Sequence, residues 1–219
     1  MKKVVLLAGL TLMACSPAAG RPSIIELHAR VPDEVALRGR IVSVGIHIAA
    51  ASYDVRAPVD ATGAFTLALP PENIMDARAT PTQWTSRDQP SCTNTVTESH
   101  PNTGTAELNF MDFKAYDANG QTLFSERGLD LYGYGTEPIW NLFYLYAASD
   151  DVVQGVERCG DNLPTTFALK LQRGWNVIAK EFYQGSGQLL RNARPEEGLW
   201  TLSPVPSPTP HPSPAVQLR

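Results

Sequence analysis

The chain has 219 residues, 43% of them hydrophobic and 18% charged, which is enough apolar material to build a folded core. Its 18 Lys and Arg stand against 22 Asp and Glu, a formal charge of −4. That acidic balance excludes a broad grip on nucleic acid or on anionic lipid, both of which demand a basic face, and 18 Pro with 16 Gly indicate many turns.

The first 14 residues read as a targeting segment. Lys2 and Lys3 precede a charge-free apolar run from Val4 to Met13, and the run ends in Ser16, Pro17 and the Gly20-Arg21-Pro22 turn. A membrane-crossing helix needs ~20 apolar residues for a ~30 Å hydrocarbon core, so the run is too short to span and fits a secretory signal.

At the foot of this run stands Leu12-Met13-Ala14-Cys15. The stretch resembles the lipobox of bacterial lipoproteins, with a large aliphatic residue three before the cysteine and a small one immediately before it. The resemblance implies alkylation of the Cys15 thiol by diacylglycerol, cleavage before Cys15, and a further acyl chain on the freed amine. Each buried CH₂ contributes about 0.8 kcal/mol, and a single chain anchors only marginally, so two or three chains make attachment effectively permanent. Ser16, and not Asp, follows the cysteine; by resemblance to enterobacterial sorting this favours the outer membrane. The alternative is an ordinary signal cut after Ala18 or Ala19, which releases a soluble secreted protein.

Acylation of Cys15 leaves Cys92 and Cys159, an even pair in an exported protein, and predicts a disulfide between them. Zinc is disfavoured, because there is no C-x-x-C and the histidine nearest Cys92 is His100, in a Ser/Thr/Asn-rich stretch.

From there the dominant period is two. Val42, Val44, Ile46 and Ile48 alternate with small or polar residues and predict one face of a strand, with His47 on the other. Asp60-Ala61-Thr62-Gly63 is a turn leading to an inward row of Phe65, Leu67 and Leu69, stopped by Pro70-Pro71. Residues 36–70, ending in Gly63-Ala64-Phe65-Thr66-Leu67-Ala68-Leu69-Pro70, resemble carboxypeptidase regulatory-like and transthyretin-like β-sandwiches, and this implies fold only. Pro71 to Ala79 has room for one or two helical turns, with Asn73 and Asp76 near the start; no long amphipathic helix is predicted. Ser91 to Thr105 reads as a surface loop pinned by Cys92.

Asn119-Gly120 predicts a hairpin between Leu108–Tyr116 and Gln121–Ser125, both residues tolerating the positive φ of a type I′ turn. Tyr132-Gly133-Tyr134-Gly135 sets two tyrosines two apart, on one side of an extended segment, with Trp140 near. These three are the candidate ligand-binding residues, a stacking platform for a sugar ring or peptidoglycan; the competing reading makes the rings plugs at an edge of the core. Ile139 to Ala148 is apolar on both faces and reads as a central strand or a buried helix. Phe167, Leu169 and Leu171 form another inward row before a Gln172-Arg173-Gly174 turn into Trp175–Phe182.

Catalytic and metal motifs are missing. Ser186 between two glycines lacks the G-x-S-x-G frame. His28, His47, His100 and His211 show no metal spacing; the first two could meet on adjacent strands, but they read better as surface strand residues than as metal ligands. Asp150-Asp151 and Glu196-Glu197 are neighbours whose side chains diverge on a strand, and they read as solvated turn charges. Ser203 to Pro214 carries six prolines in near-alternation and predicts an extended, solvated tail.

The expected protein is all-β: a mainly antiparallel β-sandwich with hairpins and at most one short helix. Its parts are a signal peptide (1–14), a lipidated tether (15–23), the sandwich (24–202) and a Pro-rich tail (203–219). Its expected function is that of a lipid-anchored cell-envelope protein presenting a non-catalytic domain for binding or structural contact, with a glycan, peptidoglycan or a protein as partner and no cofactor, metal or nucleic acid. The alternative is an envelope hydrolase whose site is assembled from distant residues.

Overall fold

Alternating apolar residues organise nearly every element of the computed structural model, which describes residues 26–32, 39–82, 84, 91–101, 103–108, 112–124, 129–135 and 139–204. In chain order the strands are β1 (Glu26–Arg30), β2 (Ser43–Ile48), β3 (Tyr53–Pro58), β4 (Ala64–Ala68), β5 (Thr80–Pro81), β6 (Cys92–Asn94), β7 (Thr97–Glu98), β8 (Gly104–Glu107) and β9 (Phe113–Tyr116). They continue with β10 (Thr122–Leu123), β11 (Leu129–Gly135), β12 (Ile139–Ala147), β13 (Asp151–Cys159), β14 (Thr165–Leu171), β15 (Gly174–Tyr183), β16 (Gly187–Ala193) and β17 (Gly198–Pro204). Among the described residues one α-helix, α1 (Glu72–Asp76), interrupts them, so the all-β expectation holds. Cys15, the signal segment, the tether and the tail beyond Pro204 lie outside the described residues.

The strands form two sheets. A small one runs β10-β9-β2-β3; a 13-stranded one follows the path β4-β1-β17-β11-β12-β15-β16-β14-β13-β6, with β5, β7 and β8 attached at its side. Pairing is antiparallel except at β1/β17 and β14/β16. Val44, Ile46 and Ile48 of β2 and Phe113 and Ala115 of β9 pack with Leu27, Leu67, Leu142, Tyr146, Trp175 and Trp200 of the large sheet in one core. This is the sandwich face of the molecule, and burial of side chains of this size contributes about 1.5–3 kcal/mol each before entropy is counted. Val42 departs from its row: it lies before β2 and is 38% exposed.

The other half of the large sheet curls. β12 and β15 are buried on both faces: Leu142, Tyr144, Tyr146, Trp175 and Val177 enter the first core, while Leu145, Ala147 and Ile178 join Val153, Phe167, Leu169 and Leu171 in a second. The mostly apolar stretch from Ile139 to Ala148, broken only by Asn141, therefore holds a central strand, the first of the two alternatives its sequence offers. β7 pairs with β13 and β8 with β12, so the chain between them spans from one margin of the curl to the other and gives a half-barrel around the second core.

Three expectations change in detail. Ser91 to Thr105 carries β6, β7 and the start of β8: the Ser, Thr and Asn side chains of β6 and β7 are exposed, as befits short edge strands whose backbones pair on one side only, with β13, whereas β8 lies between β5 and β12 and Thr105 is buried. At the Asn119 turn only Gly120 has positive φ (75°); Asp117 Oδ1 accepts the Asn119 and Gln121 amides at 2.8 Å each. That is a three-residue loop closed by a left-handed glycine, not a type I′ turn. His28 sits in the large sheet, bonded to Thr66 Oγ1 at 2.9 Å, and His47 in the small one, 3.7 Å from Asp54, so the two do not meet.

Candidate functional site

At one end of the half-barrel, the β12–β13, β14–β15 and β7–β8 connections converge on a polar cleft of about 570 Å³. Ligand sites favour such barrel mouths, and the volume suits a small molecule. Each turn is fixed by its own side chains. Asn176, buried at the start of β15, donates to the Gln172 and Gly174 carbonyls (2.8 and 3.0 Å) and accepts the Gln172 amide (3.0 Å). The Arg173 guanidinium reaches Glu72 (3.1 Å), Asp76 (2.7 Å) and the Ala148 carbonyl (3.0 Å), and its backbone amide donates to Asp150 (2.7 Å). Its hydrogen bond to the Glu72 carboxylate and the Asp76 charge push its pKa up, and the network ties the cleft wall to α1. Tyr146 OH completes it with a 2.6 Å bond to Asp76, whose carboxylate sits at the helix C-terminus where the dipole disfavours it.

Asp151 is the residue that sequence reasoning misplaced. It is only 2% exposed, not a solvated turn charge. Asp151 and Val153 share a face of β13, and Val153 belongs to the second core; that period of two is the signal that places the carboxylate inward. Its Oδ1 accepts Ser99 Oγ and the His100 amide, each at 3.0 Å, while Oδ2 is buried without a hydrogen-bond partner among the described residues.

Ser99, His100 and Asp151 are residue types of a hydrolytic triad, but their bonds differ from one. In a triad the carboxylate orients the imidazole and the imidazole takes the hydroxyl proton. Here the carboxylate holds the hydroxyl and the histidine's backbone amide, Ser99 Oγ also accepts the Val152 amide at 2.9 Å, and the imidazole Nδ1 is 3.2 Å from the same oxygen. The arrangement is a clamp that fixes the β7–β8 connection to β13.

A second groove, of about 610 Å³, lies over β1, β4 and β17. Phe65, Tyr144 and Trp200 form its buried floor, with the Tyr144 and Trp200 rings 4.4 Å apart at 44°. Burial, reinforced by the charge of Glu196, drives the Tyr144 hydroxyl pKa up, so the phenol stays neutral. Leu199 on the lip is 70% exposed.

Among the sequence-predicted residues, Cys92 and Cys159 are joined in a disulfide, as opposite partners of the β6/β13 ladder with Cα atoms 3.9 Å apart. With Glu157 they make the one His/Cys/Asp/Glu group among the described residues close enough for a metal, and the disulfide takes up both thiols. Tyr132 and Tyr134 have their backbones in β11, opposite Thr201 and Leu199 of β17, and Trp140 has its backbone in β12. The side chains of all three lie outside the described residues. Comparison with family models, with curated proteins and with solved structures finds no match.

Proposed function

We propose that the chain is a lipid-anchored cell-envelope protein whose β-domain, held at the membrane by acyl chains on Cys15, serves as a non-catalytic binding or structural module. The observation that carries this reading is the arithmetic of the cysteines. Of three, Cys92 and Cys159 are consumed by their disulfide, and the one left over stands at the foot of an apolar run in Leu12-Met13-Ala14-Cys15. A disulfide belongs to an oxidising compartment, which agrees with export. Ser16 after the cysteine favours the outer membrane.

The module reading has its own support. The serine, histidine and aspartate that meet at the polar cleft bond as a clamp: the carboxylate accepts the Ser99 hydroxyl and the His100 amide, and does not orient the imidazole as the carboxylate of a triad does. The cleft is the preferred place for a small ligand, because side chains bonded within the turns fix its walls. Replacing Cys15 with Ala should abolish metabolic labelling by palmitate and move the protein from the membrane fraction to the soluble one. Unchanged labelling would overturn the anchor, and a mature chain beginning after Ala18 or Ala19 would replace it with the secreted alternative.

A further inference from the structure

Between β1 and β17 the large sheet is nearly open. β17 pairs with β11 along seven residues and β1 with β4 along five, yet among the described residues β1 and β17 are joined only at Arg30 and Thr201. The aromatic groove lies beside that single contact, with residues 28–30 of β1 and 198–200 of β17 in its walls. Its polar side chains are nearly all engaged. Trp200 Nε1 donates to the Pro195 carbonyl at 2.9 Å, His28 Nδ1 is bonded to Thr66 Oγ1, and Asp60 holds its own turn. The Tyr144 hydroxyl is the exception: the residue is 4% exposed and lines the groove, and its hydroxyl has no hydrogen-bond partner among the described residues. At the rim, the exposed Glu196 carboxylate has no hydrogen-bond or ion-pair partner among them either.

We infer that this groove takes the proline-rich segment of a second copy of the chain, residues 205–219, which lie outside the described residues. The inference goes beyond the anchored-module reading and does not depend on it. An ordinary extended segment brings an amide N–H at every residue, and each is costly to bury against the rings of Phe65, Tyr144 and Trp200. Alternate prolines remove half of those donors and suit an aromatic-lined groove, while the carbonyls remain for the Tyr144 hydroxyl. Residues 205–219 hold a proline at every second position from Pro206 to Pro214, and they carry Arg219 and no acidic side chain, the charge that Glu196 lacks. Leu199 on the lip, 70% exposed, is the apolar surface such a segment would cover. The segment follows Pro204, at the opposite end of β17 from Gly198 and the groove. Return to its own groove requires an immediate reversal, but every residue between two prolines is held out of the helical region that a type I turn needs. An extended segment therefore meets a neighbour's groove sooner than its own.

The test is fluorescence anisotropy of a labelled synthetic peptide of residues 204–219, titrated with the full chain in non-ionic detergent, together with sedimentation equilibrium of the full chain in the same detergent, density-matched. The peptide should bind saturably, and a peptide with Ala in place of its prolines should bind about tenfold more weakly or worse. Tyr144→Phe keeps the ring and removes the free donor, and should weaken binding about fivefold. Leu199→Ser, at an exposed side chain, should weaken it as well, and it decides the matter should Tyr144→Phe fail to fold. Sedimentation should show the chain self-associating as its concentration rises, and excess peptide should suppress this. The inference is overturned if the peptide does not saturate up to about 0.2 mM chain, or if Tyr144→Phe and Leu199→Ser bind it unchanged. A chain that stays monomeric overturns it too: peptide binding would then assign the groove to a proline-rich segment of another protein, and peptide binding gained only when the chain's own prolines 206–214 are replaced by Ala would assign it to the segment of the same chain. Release of the Cys15→Ala protein from membranes is read independently, so failure of the groove and failure of the anchor are distinguishable.

Discussion

Asp60 and Asp117 perform the same task at two turns of nearly the same sequence, Asp-Ala-Thr-Gly and Asp-Ala-Asn-Gly. Each carboxylate accepts amides two and four residues ahead, at 2.8 and 2.9 Å for Asp60, and a left-handed glycine closes the loop. The Thr62 hydroxyl and the Ala64 and Thr62 amides hold the Asp60 carboxyl below its ordinary pKa. The Arg191 guanidinium does the same for Glu197. A carboxyl lowered in the folded state stabilises it at pH values above the unfolded pKa of about 4, and that contribution is lost as pH falls through the folded value. Urea unfolding between pH 7 and pH 3 should therefore show acid loss of stability that is smaller in Asp60→Asn; an identical acid profile would contradict this. Buried positions act through packing. A Cβ on Gly133 would meet Leu142 Cβ at 2.6 Å and Trp200 Cζ3 at 2.9 Å, so Gly133→Ala should cost about 1–3 kcal/mol by chemical denaturation. Tyr146→Phe removes the 2.6 Å bond to Asp76 and should cost about 1 kcal/mol.

Among the elements, the short edge strands depend most on covalent help. β6 has three residues, exposed or half-buried, and among the described residues it pairs only with β13, to which the Cys92–Cys159 bridge ties it. The bridge links residues 67 apart, and the chain-entropy model gives its closure about 4 kcal/mol. Replacing both cysteines with Ser should lower the melting temperature markedly and speed amide exchange along residues 91–98 before the β12 and β15 amides; uniform exchange across the sheet would show the edge gains nothing local from it. These edge strands were also the least legible in the sequence, since Thr, Ser and Asn at exposed positions look alike in a loop and in a ladder paired on one side. The rows Phe65-Leu67-Leu69 and Phe167-Leu169-Leu171 were legible because each alternates against polar neighbours and each is buried. Asp151 was obscured by Asp150: two adjacent acids suggest a solvated turn, and only the shared face with Val153 shows that one of them turns inward.

At the scale of the whole molecule, two sheets, two cores and a curl are consequences of pairings that local pattern does not encode. β1 lies parallel to β17, and β14 lies parallel to β16 through the intervening β15, so neighbours in space are distant in sequence. The all-β character followed from alternation and turns, whereas the half-barrel and the polar mouth at its end required those long-range contacts. The proposed anchor, by contrast, rests on a few residues at the chain start and on the count of cysteines left by the disulfide. Its most direct test is mass spectrometry of the mature N-terminus of the protein extracted from membranes. The account predicts a chain beginning at Cys15 and carrying a diacylglycerol thioether with a further acyl chain on the amine. A mature chain that begins downstream of Cys15, or one that retains Cys15 as a free thiol, would contradict it.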